Sequence, residues 1–335
     1  MRRSSVVFAV LGVLLIAAAA VIRFAIVPTA TRLPSDLDTT VHYAGKGSLL
    51  NASALASGDV SKALVRDIDV TIDRHVFVSK TDGDTSVIHD DSTLTAGPTK
   101  IPDNHVYAIN RETRAQATAP AGEKVEPHTD LTIALPLDPK SDNSYKLYDP
   151  PTLTSSTLTF VGAENKGGRD VNHYTAEASG PVKNTALAGT LPPALPKALA
   201  VQLLPLLPAD VQAKLKPLAA ALPDLIPLTY TSTTKYGVWA DTKLGAPVDS
   251  SIQRTIVASA NLGSQSLPLL PVLDINLTQT PASVQDLADQ ADSRGTRLSL
   301  LGTWLPIGLL VIGVLLVVIA IIRRRRPGAA AASTD

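Results

Sequence analysis

The sequence contains no cysteine, which excludes disulfides, zinc–thiolate sites and a cysteine nucleophile. Any exported domain on this chain must therefore be held by its core alone. Aromatic residues make up only 4% of the 335 residues. Alanine and threonine are frequent instead, a bias that fits a GC-rich bacterial genome. Catalytic signatures are missing as well. There is no G-x-S-x-G elbow, no P-loop, no G-x-G-x-x-G and no HExxH pair, so no enzymatic activity and no cofactor is expected. The formal net charge is zero. A net positive charge sits at the two ends, which leaves a net acidic middle. Phosphate backbones need clustered Lys and Arg, so nucleic acid is not an expected partner.

What the chain does have is two long apolar runs. Residues 6–27 begin with Val6–Ile22, free of charge, and continue past Arg23. At ~1.5 Å per residue such a run matches the ~30 Å hydrocarbon core of a bilayer. Two readings stay open: an uncleaved anchor, or a signal peptide cut after Ala18-x-Ala20. The apolar stretch continues beyond that point, which favours the anchor. Residues 298–322 form the second run, charge-free and ended by Arg323, Arg324, Arg325 and Arg326. Trp304 suits an interface near its outer end. Arg2 and Arg3 precede the first run. By the positive-inside rule these six arginines hold both termini in the cytoplasm and place residues 28–297 outside the plasma membrane. A five-residue N-terminus (1–5) and a basic tail (323–335) complete the plan.

The external region reads as mostly antiparallel β, so the fold class expected is a membrane-anchored α+β protein. "ALVRDIDVTIDRHVFVSK" alternates apolar and polar residues, and Asp82-Gly83-Asp84 supplies a turn. "HVYAINRETRAQATAP" predicts a strand, a turn and a return. "TLTFVGAENKGGRDVNHYTAEA" predicts a hairpin with Gly167-Gly168 at its tip. "LTYTSTTKYGVWADTKLGAPVDSSIQRTIVASANL" predicts another that turns near Gly245. "TPASVQDLADQADSRGTRLSLL" reads as a helix with Ser283 and Asp286 as its capping pair.

Between the strands, residues 191–228 hold 12 leucines, 8 alanines and 8 prolines. Proline inside a helix costs ~3 kcal/mol, so no helix long enough to cross a membrane fits here. Short helices beginning near Pro196, Pro208 and Pro217 do fit. They form a helical hairpin with one apolar face: Leu195, Leu199, Leu203, Val211, Leu215, Leu218 and Leu222. Either this face packs on the β domain, or it meets lipid, an acyl ligand or another copy of the chain. The seven residues are the candidate ligand-binding set.

Six histidines are scattered without metal spacing, and no metal is expected. "HDD" at 89–91 and "DGD" at 82–84 read as solvated turn residues before they read as cation ligands. His128, Tyr145 and Asp149 suit a loop locked onto a sheet, and Trp239 and Tyr236 suit strand packing.

Three blocks carry a resemblance. "VYAINRET" at 106–113, "HTDLTIALPLDPKSDNSYKLYDP" at 128–150 and "YGVWADTKLGAPV" at 236–248 are similar to the actinobacterial PorA-like family, which carries the label "porin". The resemblance covers nearly the whole chain. It implies a cell-envelope protein and brings no catalytic residues with it. Members often have Asp-Arg at Asn110-Arg111 and Gly at Asp130. At the level of topology alone, the two-span plan is also similar to the scavenger-receptor class, which implies lipid ligands. The leading functional expectation is an envelope protein that binds or relays hydrophobic envelope molecules. A pore component and an organiser of envelope machinery are the alternatives, with membrane lipids, envelope components or further copies of the chain as partners.

Overall fold

Alternation of period two produces strands because successive side chains leave opposite faces of the backbone. The computed structural model describes residues 3–51, 54–55, 57–59, 62–207, 209–217, 222–262 and 265–325. In it the chain forms two compact units, Pro34–Ala291 and the pair Met1–Leu33 with Asp292–Asp335.

The first unit is built on β1 (Asp38–Leu50), β2 (Leu64–Asp82), β3 (Thr85–Ala96) and β4 (Thr99–Asn110). A long connection holds the small pair β5 (Lys146–Asp149) and β6 (Thr154–Thr157), and β7 (Thr159–Lys166) and β8 (Arg169–Pro181) follow. The sheet is completed by β9 (Ala194–Pro196), β10 (Leu225–Asp241), β11 (Pro247–Leu262) and β12 (Gln265–Gln279). All pairings are antiparallel in the order β4-β3-β2-β1-β12-β11-β10-β8-β7, with β9 beside β10. The last strand returns to the first, with Leu277 opposite Gly45.

This sheet is rolled, and one ion pair shows it. β4 and β11 are five strand spacings apart in the sheet order, or about 24 Å in a flat sheet. Yet Arg254 Nη1 on β11 lies 3.9 Å from Asp103 Oδ2 on β4. Side chains cannot span that difference, so the sheet curls until these strands face each other across its interior.

The predicted hairpins form where expected. Gly83 (φ +55°), Gly167 (φ +56°) and Gly245 (φ +64°) occupy their turns in the left-handed region. The return strand predicted after β4 shrinks to one bridge, Ile109 with Gln116. Pro120, Pro127, Pro136 and Pro139 remove the N–H donors that a ladder through this stretch would need. The 111–158 connection instead lies over the inner face of the sheet. It is pinned at the β10–β11 turn, where Leu135 N donates to Gly245 O at 2.9 Å and Asp138 N to Lys243 O at 2.8 Å. A Cβ on Gly245 would stand 2.0 Å from Pro136 O, so only glycine permits this approach.

The leucine-rich segment is less helical than a hairpin. Its two ends are strand, with Leu195 of β9 opposite Ile226 of β10. Between them lie α4 (Lys197–Leu203) and α5 (Ala209–Leu215), and α3 (Thr185–Gly189) precedes the segment. Asn184 caps α3 by accepting from Leu187 N. The apolar face is turned inward. Leu195, Leu203, Val211, Leu215 and Leu222 are buried with Ile226, Ala260 and Leu269 of the sheet, and Leu199 packs against them half-buried. Leu218 lies outside the described residues.

Helix α6 (Pro281–Ser299) starts earlier than its expected cap. Pro281 suits the first helical position, and Ser283 N donates to Thr280 Oγ1 at 3.4 Å. Ser283 Oγ, buried, instead accepts from His42 N at 3.0 Å.

In the second unit, α1 (Arg3–Val21) passes through a π turn at Ile22–Ile26 into α2 (Val27–Ala30), and α7 (Leu305–Arg325) follows a π turn at Leu300–Trp304. Both apolar helices are long enough to cross a membrane. They pack antiparallel at a crossing of two glycines. A Cβ on Gly12 would meet Gly313 O at 2.6 Å, and one on Gly313 would meet Gly12 O at 2.8 Å. Arg323 stacks over Phe8 at 5.0 Å, so the two chain ends share one end of the pair. Apolar side chains remain exposed around it, Val7 at 62% and Leu315 at 55%.

Because the leucine face is core, Leu203→Asp should destabilise the β domain by about 3–5 kcal/mol. Thermal melting of the full chain in nanodiscs, followed by circular dichroism, measures this. An unchanged melt would show the face to be exposed.

Candidate functional site: a charged cavity inside the rolled sheet

The inner face of an antiparallel sheet is ordinarily apolar. Here apolar side chains (Val70, Ile72, Leu94, Ile275 and Leu277) share it with charges. Arg74 on β2 reaches Asp90 on β3 through a two-pronged pair, with Nε and Nη2 each 2.7 Å from a carboxylate oxygen. Burial opposes the Arg74 charge, but Asp90 and Tyr43 outweigh it and hold the guanidinium above its ordinary pKa. Tyr43 Oη lies 2.7 Å from Ser250 Oγ, which donates to Gln279 Oε1 at 3.1 Å.

Arg254 donates from Nε to Thr234 Oγ1 at 3.3 Å and faces Asp103. Asp103 in turn lies 3.0 Å from His105 Nε2, and His105 Nδ1 is 2.8 Å from Glu126. Burial disfavours the charge on Asp103, but His105 and Arg254 outweigh it and lower the pKa. Burial also works against the charge on His105, yet Asp103 and Glu126 push its pKa up to about 10. The ring is therefore protonated at neutral pH. Tyr236 donates to Asp149 Oδ1 at 2.8 Å, and Thr152 closes that carboxylate's other oxygen at 2.6 Å.

Of these groups, Tyr43, Arg74, Asp90, Asp103, His105, Tyr236, Ser250 and Arg254 line a cavity of about 150 Å³ between the sheet and the 111–158 connection. The connection supplies a mostly apolar wall, including Leu131, Ile133, Leu135 and Leu147, and the sheet supplies the charges. Arg74 and Arg254 lie deep in the fold yet keep 25% and 16% of their side-chain surface accessible. Both side chains line the cavity. Tyr107, 1% exposed, also lines it. Its ring packs beside His105, His128 and Tyr148. Its hydroxyl and that of Thr132 are buried with no hydrogen-bond partner among the described residues. Burial, then Asp90 and Glu126, push the Tyr107 pKa up, so it stays a phenol.

The outer face of the sheet is polar. His42 pairs with Asp73 at 2.6 Å and Lys46 with Asp69 at 2.9 Å. Thr255 donates to Asp274 and Gln253 to Asn276 across strands. Trp239 lies on this face too, stacked on His173 at 4.1 Å and donating to Glu164. A membrane-spanning barrel presents apolar residues outward, and this sheet does not.

The residues named from sequence are dispersed. The leucine face forms its own core beside the sheet, with only ~20 Å³ of space in it. Asp149 and Tyr145 lock the connection in place, Tyr145 Oη accepting from Lys140 N at 3.1 Å. "HDD" splits, with Asp90 inside on Arg74 and His89 stacked on Phe77 outside. No group of three His, Asp or Glu side chains suited to a metal occurs among the described residues. Of the arginines, Arg323 and Arg324 end α7 as exposed residues. Arg3 and Arg325 fall at helix ends, and Arg2 and Arg326 lie outside the described residues.

The cavity residues Arg74, Asp103, His105 and Arg254 were not singled out by sequence. A signal was present. Arg74 continues the Val70, Ile72, Val76 series, and Arg254 stands between Ile252 and Ile256. A charge at an inward position of a period-two series requires an inward partner.

The family described as Porin PorA matches residues 4–322. The chain belongs to this family. No curated protein sequence matches it. Among solved structures it is similar to a conserved hot-dog-fold protein of unknown function from Alicyclobacillus acidocaldarius. The identity is 14% over 75% of this chain and 81% of that one, with a TM-score of 0.14. It is also similar to a MaoC domain protein dehydratase from Chloroflexus aurantiacus, at 15% identity over 80% of each chain, with a TM-score of 0.13. At these TM-scores the likeness bears on neither fold nor activity. This PorA-family chain is built on a rolled sheet with charges inside and polar groups outside.

His105 sets a pH dependence. Its folded pKa of about 10 exceeds the ordinary 6.5. Its contribution to stability is thus full below pH 6.5 and is lost as pH rises through 10. Melts between pH 6.5 and 10 should show a decline on the order of a few kcal/mol. The decline should flatten in His105→Gln, whose side chain does not titrate.

Proposed function

We propose that this PorA-family protein is a non-enzymatic, membrane-tethered envelope protein whose β domain binds a small amphiphile in the cavity of the rolled sheet. The observation that carries this reading is the cavity itself, with apolar walls from the 111–158 connection and charged and hydroxyl groups on the sheet. Ligand sites combine an apolar lining with a few placed polar groups in this way. A void of this size takes a benzene-sized molecule, so it holds a short amphiphile or one segment of a longer lipid. The leucine-rich segment packs on the sheet as a separate core and contributes none of the described lining residues of the cavity.

The tether consists of the two apolar helices. The arginines beyond each, Arg2 and Arg3 and then Arg323 to Arg326, favour both termini in the cytoplasm. The antiparallel packing of α1 and α7 is compatible with that topology.

A pore remains the second reading, because the family is described as a porin. The polar outer face argues against the sheet as a lipid-embedded barrel, so conduction needs an assembly of several copies. Planar-bilayer recordings of the reconstituted chain are expected to show no unitary conductance.

Two experiments test the main reading. Full chain purified in amphipol should carry an extractable amphiphile, detected by mass spectrometry, that Ala134→Phe has lost. Ala134 lines the cavity, and phenylalanine there fills it. Equal recovery from both proteins would sink the cavity as a binding site. Topology is tested by single cysteines, which the cysteine-free chain makes clean. A membrane-impermeant maleimide should label Ser179→Cys on intact cells and leave Ser333→Cys unlabelled until lysis. The reverse pattern would invert the topology.

A further inference from the structure

Resting on the amphiphile-binding reading, we infer that His128 is an acid-sensitive latch on the cavity: a proton on its ring loosens the 111–158 connection around it and releases the ligand.

His128 lies on the connection and is 4% exposed. Neither ring nitrogen has a hydrogen-bond partner among the described residues. The Glu126 backbone carbonyl acts on the ring but falls short of hydrogen-bond geometry. A neutral imidazole carries one donor and one acceptor, and a protonated one carries two donors and a charge. Phenylalanine would fill the same space with no unmatched atom, so packing alone does not account for a histidine here.

What His128 packs on is the cavity wall. Its ring centroid is 4.9 Å from that of Tyr107 on β4 and 6.1 Å from that of Tyr148 on β5. Both tyrosines line the cavity. The Tyr148 hydroxyl donates to Pro127 O at 3.2 Å, one residue before His128. Glu126 N donates to Val106 O on β4 at 2.7 Å. Movement of His128 out of its pocket therefore strips the backing from both tyrosines and pulls on the contacts that hold this part of the connection to β4 and β5.

Surrounding charge does not make up for burial. β4 presents the protonated His105, its ring 5.6 Å from that of Tyr107. Asp103 and Glu126 are engaged by His105, and Asp149 on β5 by Tyr236 and Thr152. Burial lowers the His128 pKa, and the backbone carbonyl and carboxylate of Glu126 offset it only in part. A group whose pKa is lower in the closed form takes its proton more readily in the open one. The closed form is fully favoured above the ordinary value of 6.5 and loses stability as pH falls below it. His105 stays protonated and Asp103 stays ionised over this range.

Native-state hydrogen exchange on full chain in nanodiscs, at about pH 7.5 and about pH 5, reads the latch directly. After correction for the intrinsic rate, protection at the bonded amides of Glu126, Leu131 and Tyr148 should fall several-fold at the lower pH. Ile256 and Leu277, buried in the sheet, should keep theirs. His128→Phe should hold the connection's protection constant between the two conditions, and His128→Leu carries this arm if the phenylalanine variant fails to fold. Bound amphiphile, measured by mass spectrometry after a wash at each pH, should be several-fold lower at about pH 5 in the unaltered chain and equal at both in the variant. Unchanged protection on acidification overturns the inference. So does an acid response that the variant keeps, a loss spread over the whole sheet, or amphiphile retained by a connection that has opened. No amphiphile at either pH overturns the cavity reading instead, and with it the release, while exchange still reports the opening.

Discussion

A guanidinium placed inside a protein must meet a carboxylate there, and much of this fold follows from that demand. Arg74 and Arg254 stand on inward positions of β2 and β11. Left alone, either would cost several kcal/mol. Arg74 finds Asp90 on the neighbouring strand. Arg254 finds Asp103 only because the sheet rolls until β4 faces β11. The roll in turn leaves an interior that backbone alone cannot fill. The 111–158 connection lies over it, and the cavity is the space that remains.

The same demand explains the connection's placement. The prolines between 120 and 139 keep its first part from pairing as a strand, so that part is held by particular contacts. Tyr236 on Asp149, the Tyr174 hydroxyl on Lys140 O at 2.6 Å and the close approach at Gly245 fix the connection along its length. The block at 128–150, which resembles the PorA-like family most closely, is this connection. It forms the apolar side of the cavity, and "YGVWADTKLGAPV" forms the turn that pins it. Two of the three resembling blocks thus build one structural device.

Much of this architecture was legible in the sequence. The hairpins at Gly83, Gly167 and Gly245 follow from alternation and turn chemistry, which are local. The two apolar helices follow from length and composition. The leucine-rich segment was legible as short helices, since proline acts locally too. Which way its leucines faced was not, because an amphipathic stripe has the same spacing whether it meets a sheet or a lipid. The roll was equally hidden. It depends on contacts between residues 151 positions apart, Asp103 and Arg254, and no window of sequence contains both.

The two faces of the sheet bear on the meaning of "porin" for this chain. A lipid-embedded barrel keeps its charges in the lumen and its apolar residues outside. This sheet has the first half of that pattern and reverses the second, with His42, Asp73, Lys46 and Asn276 outward. An aqueous lumen would also leave its ion pairs solvated and of little worth. Here Arg74 and Asp90 are mostly buried and doubly bonded, as suits a low-dielectric interior. Polar groups on the outside and a confined space with charged walls on the inside are what the proposed binding role rests on, and the apolar helices are the part of the chain suited to lipid.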